Sequence, residues 1–131
     1  MRNHSFLILT LLLMVFSKDT VGQSDVLEGT KNALKAGSSK DISKYFNDMV
    51  EIGLNKEDKK TYSKTQAEFI LRDFFKQYPP TDFQYVHQGS SKEGMKYTIG
   101  KYMYNGGTFR VITVVKQFRG NYLIDSIVFE E

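Results

Sequence analysis

The sequence predicts an α+β fold in which N-terminal helices and one long helix pack on a strongly curved antiparallel sheet ending in a four-stranded meander. Three observations predict it. Apolar residues recur at helical spacing as far as Tyr78, where Pro79–Pro80 stops the pattern. From Thr81 onward the apolar period drops to two. The same half is broken by Gly89–Gly94, Asn105–Gly106–Gly107 and Arg119–Gly120–Asn121, which are hairpin-turn signals.

The elements follow in order. Met1–Ser5 carries Arg2 and His4, Phe6–Phe16 reads FLILTLLLMVF, and Ser17–Gly22 is polar and ends in a small residue. That layout is an export signal. Its apolar run spans only about 16 Å as a helix, roughly half a bilayer core, so a transmembrane anchor is not expected. The cut is expected after Gly22, with Thr20 at the other small-residue position, leaving residues 23–131 as a single exported domain, periplasmic or secreted. No transmembrane segment is expected after the cut.

Asp25 and Glu28 have capping-box spacing, Val26, Thr30, Ala33 and Leu34 form a helical stripe, and Gly37 is a stop. Ser39 is placed to cap a second helix with the stripe Ile42, Tyr45, Phe46 and Met49. Val50, Ile52 and Leu54 alternate as in a strand, and Asn55–Lys60 is a charged loop. Ser63 and Gln66 form a second capping box. The helix behind it turns Ala67, Ile70, Leu71, Phe74, Phe75 and Tyr78 to one side and pairs Glu68 with Arg72 on the other. Phe83, Tyr85 and His87 share a strand face. Met95–Tyr104 is a strand with Gly100 inside it, a sign of a bulge or bend that would flip later side chains. Phe109–Phe118 and Tyr122–Phe129 complete the meander.

A chain of 131 residues is one domain, and 14% aromatics with 25% charged residues describe a globule. With no cysteine there are no disulfides, zinc fingers, thiol nucleophiles or lipidated thiol. An exported domain without disulfides fits a bacterial periplasm or surface better than a small disulfide scaffold. A net charge of +3, of which the leader supplies part, is too weak for a nucleic-acid binder. The lysines at positions 31, 35, 40, 44, 56, 59, 60 and 64 read as solvated faces.

Taken together, Tyr62-Ser63-Lys64-Thr65-Gln66-Ala67, Asp73-Phe74-Phe75, Phe83, His87 with Gly89, Lys96-Tyr97 with Gly100, and Gly107 with Phe109-Arg110-Val111 carry a resemblance. Over about Asp25 to Glu131 the chain resembles domain-of-unknown-function family 4783, small exported bacterial proteins. The resemblance implies a nuclear-transport-factor-2-like cone within the cystatin-like group. It brings no activity, so no catalytic residue carries over.

Chemistry is sparse. His87 is the one histidine beyond the expected leader, which rules out multi-imidazole metal sites, and neither a metal nor a cofactor is expected. His87 reads either as a strand-end histidine bonded to a loop or as a proton-handling group at a pocket mouth. Asp125, between Leu123 and Ile127, is the other catalytic candidate, because a carboxylate in an apolar strip can serve as a base. Isomerase-type sites occur in similar cones and need such an acid beside a tyrosine, a part Tyr97 could take. Pairing with Arg110 or Lys116 is the plainer reading of Asp125. Tyr97, Tyr102 and Tyr104 read as an aromatic platform or, more plainly, as packing.

The preferred functional expectation is non-catalytic binding of a small molecule or peptide in the cone or at its mouth. Ile70, Phe74 and Tyr78 would form one wall, with Tyr85, Tyr97 and Arg110 as polar groups. The alternative is a protein-interaction module with a solid core, using the sheet, which also offers a surface for a homodimer. An isomerase- or hydrolase-type enzyme is the remaining reading.

Overall fold

The computed structural model describes residues 21–91 and 93–131; the expected signal as far as Thr20, and Lys92 in a hairpin loop, lie outside the described residues. Helix α1 (Gln23–Ala36) starts earlier than the Asp25–Glu28 spacing predicts, because Gly22 is the cap. Asp25 falls in the first turn, where its carboxylate accepts from the Gly22 N–H at 3.2 Å and suits the positive helix end. Val26, Thr30, Ala33 and Leu34 are buried, and Gly37 ends the helix at φ 64°. Val21 is tied to the far end of the chain. Its N–H donates to the Asn121 side chain at 2.9 Å, and its carbonyl accepts from the Tyr122 N–H at 3.0 Å.

Helix α2 (Ser39–Ser43) is capped by Ser38 rather than Ser39, the Ser38 hydroxyl accepting from the Asp41 N–H at 3.1 Å. It is also shorter than its stripe predicts. Strand β1 (Phe46–Leu54) takes over at Phe46, because Phe46, Val50 and Ile52 are buried at strand spacing while Met49 is left 55% exposed. Strand β2 (Lys60–Ser63) is too short to show a period, and it pairs antiparallel with β1. Helix α3 (Lys64–Gln77) carries the predicted reciprocal box: Gln66 N–H donates to Ser63 Oγ at 3.2 Å, and Ser63 N–H to Gln66 Oε1 at 3.1 Å. The Glu68–Arg72 pair does not form. The Arg72 guanidinium lies instead 4.6 Å from the Phe69 ring centre, a cation–π contact.

Strands β3 (Pro80–Ser90), β4 (Lys96–Tyr104), β5 (Gly107–Phe118) and β6 (Asn121–Glu130) form the predicted meander. The sheet order is β2-β1-β6-β5-β4-β3. The sheet is open and mixed rather than wholly antiparallel, because β1 runs parallel to β6. The helices pack on one face, where an aromatic block fills the space below α3. The Phe74 ring lies 4.5 Å from Phe129, 5.2 Å from Phe109 and 5.9 Å from Tyr102, and Phe75 stacks on Tyr102 at 6.0 Å. The interior of the cone at this level is side chain.

Candidate functional site

Two bulges decide which side chains the sheet presents. In β3, Tyr85 pairs with Gly100 and His87 pairs with Ile99, so Val86 is an extra residue. Phe83 and Tyr85 therefore face the helices, and His87 faces the outer side with Ile99. This corrects the expectation that the three share a face. The bulge signalled by Gly100 sits on the strand opposite it, since the Phe83 ring fills the space a Gly100 side chain would need. In β6, Val114 pairs with Ser126 and Val115 with Ile124, so Asp125 is an extra residue. Its carboxylate meets Lys116 Nζ at 3.1 Å, so it does not share an apolar strip with Ile127. That geometry removes the reason for treating Asp125 as a general base.

The other candidate residues separate as well. Tyr85 is packed inward, its hydroxyl donating to the Leu27 carbonyl at 2.6 Å. Burial raises its pKa above the ordinary tyrosine value, with the Glu28 charge adding to the shift. Tyr102 is fully buried and its hydroxyl donates to the Tyr78 carbonyl, which helps to close the end of α3. Burial likewise raises its pKa. Tyr97 lies on the outer face over Gly89 and is 38% exposed, with its hydroxyl 3.4 Å from His87 Nε2. Arg110 is exposed on the outer face, in register with Lys101 on one side and Glu130 on the other. Phe74, Tyr78, Tyr85, Tyr97 and Arg110 thus do not converge on one cavity.

What the structure does bring together is the helix wall. Ile70, Phe74 and Tyr78 line a cleft of about 430 Å³ with Leu54, Asn55 and Asp73, where α3 faces the turn after β1. Gln77 also lines it, its side-chain amide donating to the Tyr78 hydroxyl at 3.3 Å. Asn55 is the unusual member. Its backbone is left-handed at φ 56°, and its Oδ1 is buried with no hydrogen-bond partner in the protein. Such an orphaned acceptor costs roughly 1–3 kcal/mol. Asn55 also borders an outer depression lined by Ile112, Val114 and Val128. A third hollow, about 480 Å³, lies on the outer face over β3, β4 and β5 and includes Val86, His87, Ile99, Lys101 and Arg110.

The comparisons with known proteins agree with this architecture. A family described as a domain of unknown function, DUF4783, matches residues 27–130. The chain belongs to the DUF4783 family. A DUF4783 protein from Bacteroides ovatus is 30% identical, with a TM-score of 0.74 over 79% of this chain and 92% of that one. An NTF2-like protein of unknown function from Cytophaga hutchinsonii shares the fold at 14% identity and a TM-score of 0.58, over 86% of this chain and 92% of that one. A domain of unknown function with a cystatin-like fold from Nostoc punctiforme does so at 8% identity and a TM-score of 0.62, over 80% and 72%. No curated protein matches the sequence.

For this DUF4783 chain, sequence reasoning located the wall of the mouth cleft and missed its other side. The Asn55–Lys60 stretch reads as a charged loop, and nothing in a period marks Asn55. The available signal was the residue type, since asparagine is the usual non-glycine occupant of the left-handed region. Among the described residues no group of three or more histidine, cysteine or acidic side chains could hold a metal ion, and no helix is long and apolar enough to cross a membrane.

Proposed function

We propose that this protein is an exported, non-catalytic binding protein that takes a small molecule or a peptide end in the cleft at the mouth of the cone. The observation that carries this reading is the orphaned Asn55 Oδ1 beside the apolar wall of Ile70, Phe74 and Tyr78. A pocket with an apolar wall and a few fixed polar groups is the usual form of a small-ligand site. A ligand N–H at Asn55 would satisfy the acceptor that the fold leaves bare. The solid aromatic block beneath moves binding to the mouth and out of the interior.

The test is an NMR fragment screen on residues 21–131, with Ile70→Trp as the cleft-filled control. Binders are expected to shift the backbone signals of Asn55 and Tyr78 and to lose this effect in Ile70→Trp. Hits that never cluster there would end the reading. Export is checked by expressing the full chain with and without residues 1–22 and fractionating the cells.

A second reading, a homodimer or another protein partner on the sheet, is favoured by the outer face. Tyr97 is 38% exposed there, and Val114, in register with it, is half-buried with no helix over it. Sedimentation across a concentration series separates the two readings.

A further inference from the structure

The outer hollow holds an arrangement that the mouth cleft does not explain. Lys101 and Arg110 are directly opposite each other on β4 and β5. Like charges at such a position destabilise a sheet. Neither forms an ion pair among the described residues, although Glu130 is in register with Arg110 and Glu131 lines the same hollow. The β3 bulge adds to the arrangement in two ways. It turns His87 to this face, and it leaves Val86 53% exposed. Ile99 lies between, in register with His87. The result is an open hollow of about 480 Å³ with an apolar floor of Val86 and Ile99, rimmed by His87, Lys101 and Arg110 and also by Thr108 and Glu131. Bulges commonly re-aim a side chain next to a binding site.

We propose that this hollow is a second binding site, independent of the mouth cleft, for an amphipathic carboxylate. The acid would lie across Lys101 and Arg110, which offers a forked guanidinium for two carboxylate oxygens. The apolar chain would cover Val86 and Ile99. One negative group between the two cations removes the repulsion that the empty sheet carries, so the same pair that weakens the fold strengthens the complex.

The probe is octanoate, used below its micelle concentration, with octanol and octyltrimethylammonium as controls. Nitrogen–proton NMR shifts are followed at Val86, His87, Ile99, Lys101 and Arg110 in residues 21–131. Octanoate is expected to shift these signals in a saturable way, and octanol at least roughly tenfold more weakly, the margin of one charge-assisted contact. Lys101→Gln and Arg110→Gln are both on the surface and are each expected to weaken octanoate while raising or preserving the melting temperature. Equal binding of octanol, preference for the cation, or no shift at these residues overturns the proposal. So does a concentration-dependent dimer whose formation alone shifts them, because a second copy would then be the occupant. Loss of binding together with lower stability in both variants would assign the pair a structural role and equally overturn it. Shifts at Asn55 and Tyr78 report separately on the mouth cleft.

Discussion

Replacing Gly100 with alanine tests the packing that creates the β3 bulge. A Cβ built at Gly100 would lie 2.4 Å from Phe83 Cζ, 2.7 Å from Cε2 and 3.0 Å from the Gln84 carbonyl oxygen. The first two contacts involve a ring with little room to withdraw. Phe83 is 1% exposed, and its ring meets Tyr85 edge-on at 5.1 Å. The third involves backbone in the neighbouring strand. Overpacking a filled core costs about 1–3 kcal/mol, and a site where both ring and backbone must move belongs in the upper half, at about 2–3 kcal/mol. For a domain of this size that lowers the melting temperature by roughly 8–12 °C. Urea unfolding of Gly100→Ala, Phe83→Leu and the double variant gives the assay. If the Phe83 ring is the obstacle, shortening it relieves the alanine and the double variant is more stable than the sum of the singles. A change below about 0.5 kcal/mol for Gly100→Ala, or strict additivity, would refute the reasoning.

Other predictions follow from local geometry. Phe118 pairs with Asn121 across Arg119–Gly120, whose φ values are 52° and 84°, so Arg119 sits left-handed in a two-residue hairpin turn. Arg119→Asn should therefore stabilise the domain by about 0.5–1 kcal/mol in urea unfolding, whereas Arg119→Val should destabilise it. Tyr85 and Tyr102 have folded-state pKa values above the unfolded 10.0, through burial first. Their contribution to stability is complete below pH 10 and is lost as pH rises towards the folded values. Tyr104 is raised as well, through desolvation first, so an absorbance titration should find three late-ionising tyrosines, and Tyr85→Phe with Tyr102→Phe should remove two of them. A chain beginning at Gln23 loses the Gly22 cap and the Val21 bonds to Asn121 and Tyr122, and should be about 1–2 kcal/mol less stable than one beginning at Val21. Equal melting temperatures would show those contacts to be inert.

Local rules made the helices and the meander legible. Ser63 with Gln66 announces the start of α3, Pro79–Pro80 its end, and Gly37 the end of α1, each through a backbone requirement met within a few residues. Long-range pairing was not legible. Phe46 reads as helical from its neighbours, but it faces Ile124 of β6 across a parallel ladder that no local pattern can reveal. The candidate site failed in the same way. Period-two counting puts His87 with Tyr85, and Asp125 with Ile127, and each assignment is undone by one extra residue. Gly100 did signal a bulge, but the glycine marks the strand that receives the Phe83 ring and the extra residue is Val86 on its partner. Ile70, Phe74 and Tyr78 were legible as a wall because helical spacing carries no such parity error.

Those two single-residue insertions also explain why the polar groups of this domain gather at its rims. A sheet covered by helices on one face can fill its inner side with rings only if the polar side chains near the strand centres are turned away. The Phe74 and Tyr102 rings lie 5.9 Å apart and each lies between 4.5 and 6.2 Å from both Phe109 and Phe129, which leaves no place for a charge among them. The bulge at Val86 turns out His87, and the extra residue at Asp125 puts a carboxylate beside Lys116. The Tyr85 and Tyr102 hydroxyls are used at the inner face, on the Leu27 and Tyr78 carbonyls, whereas the buried Thr30 hydroxyl of α1 has no partner in the protein. The Lys101–Arg110 pair therefore lies outside, where a partner from solution can reach it without opening the core, and the unpartnered Asn55 oxygen lies in the wall of the mouth cleft.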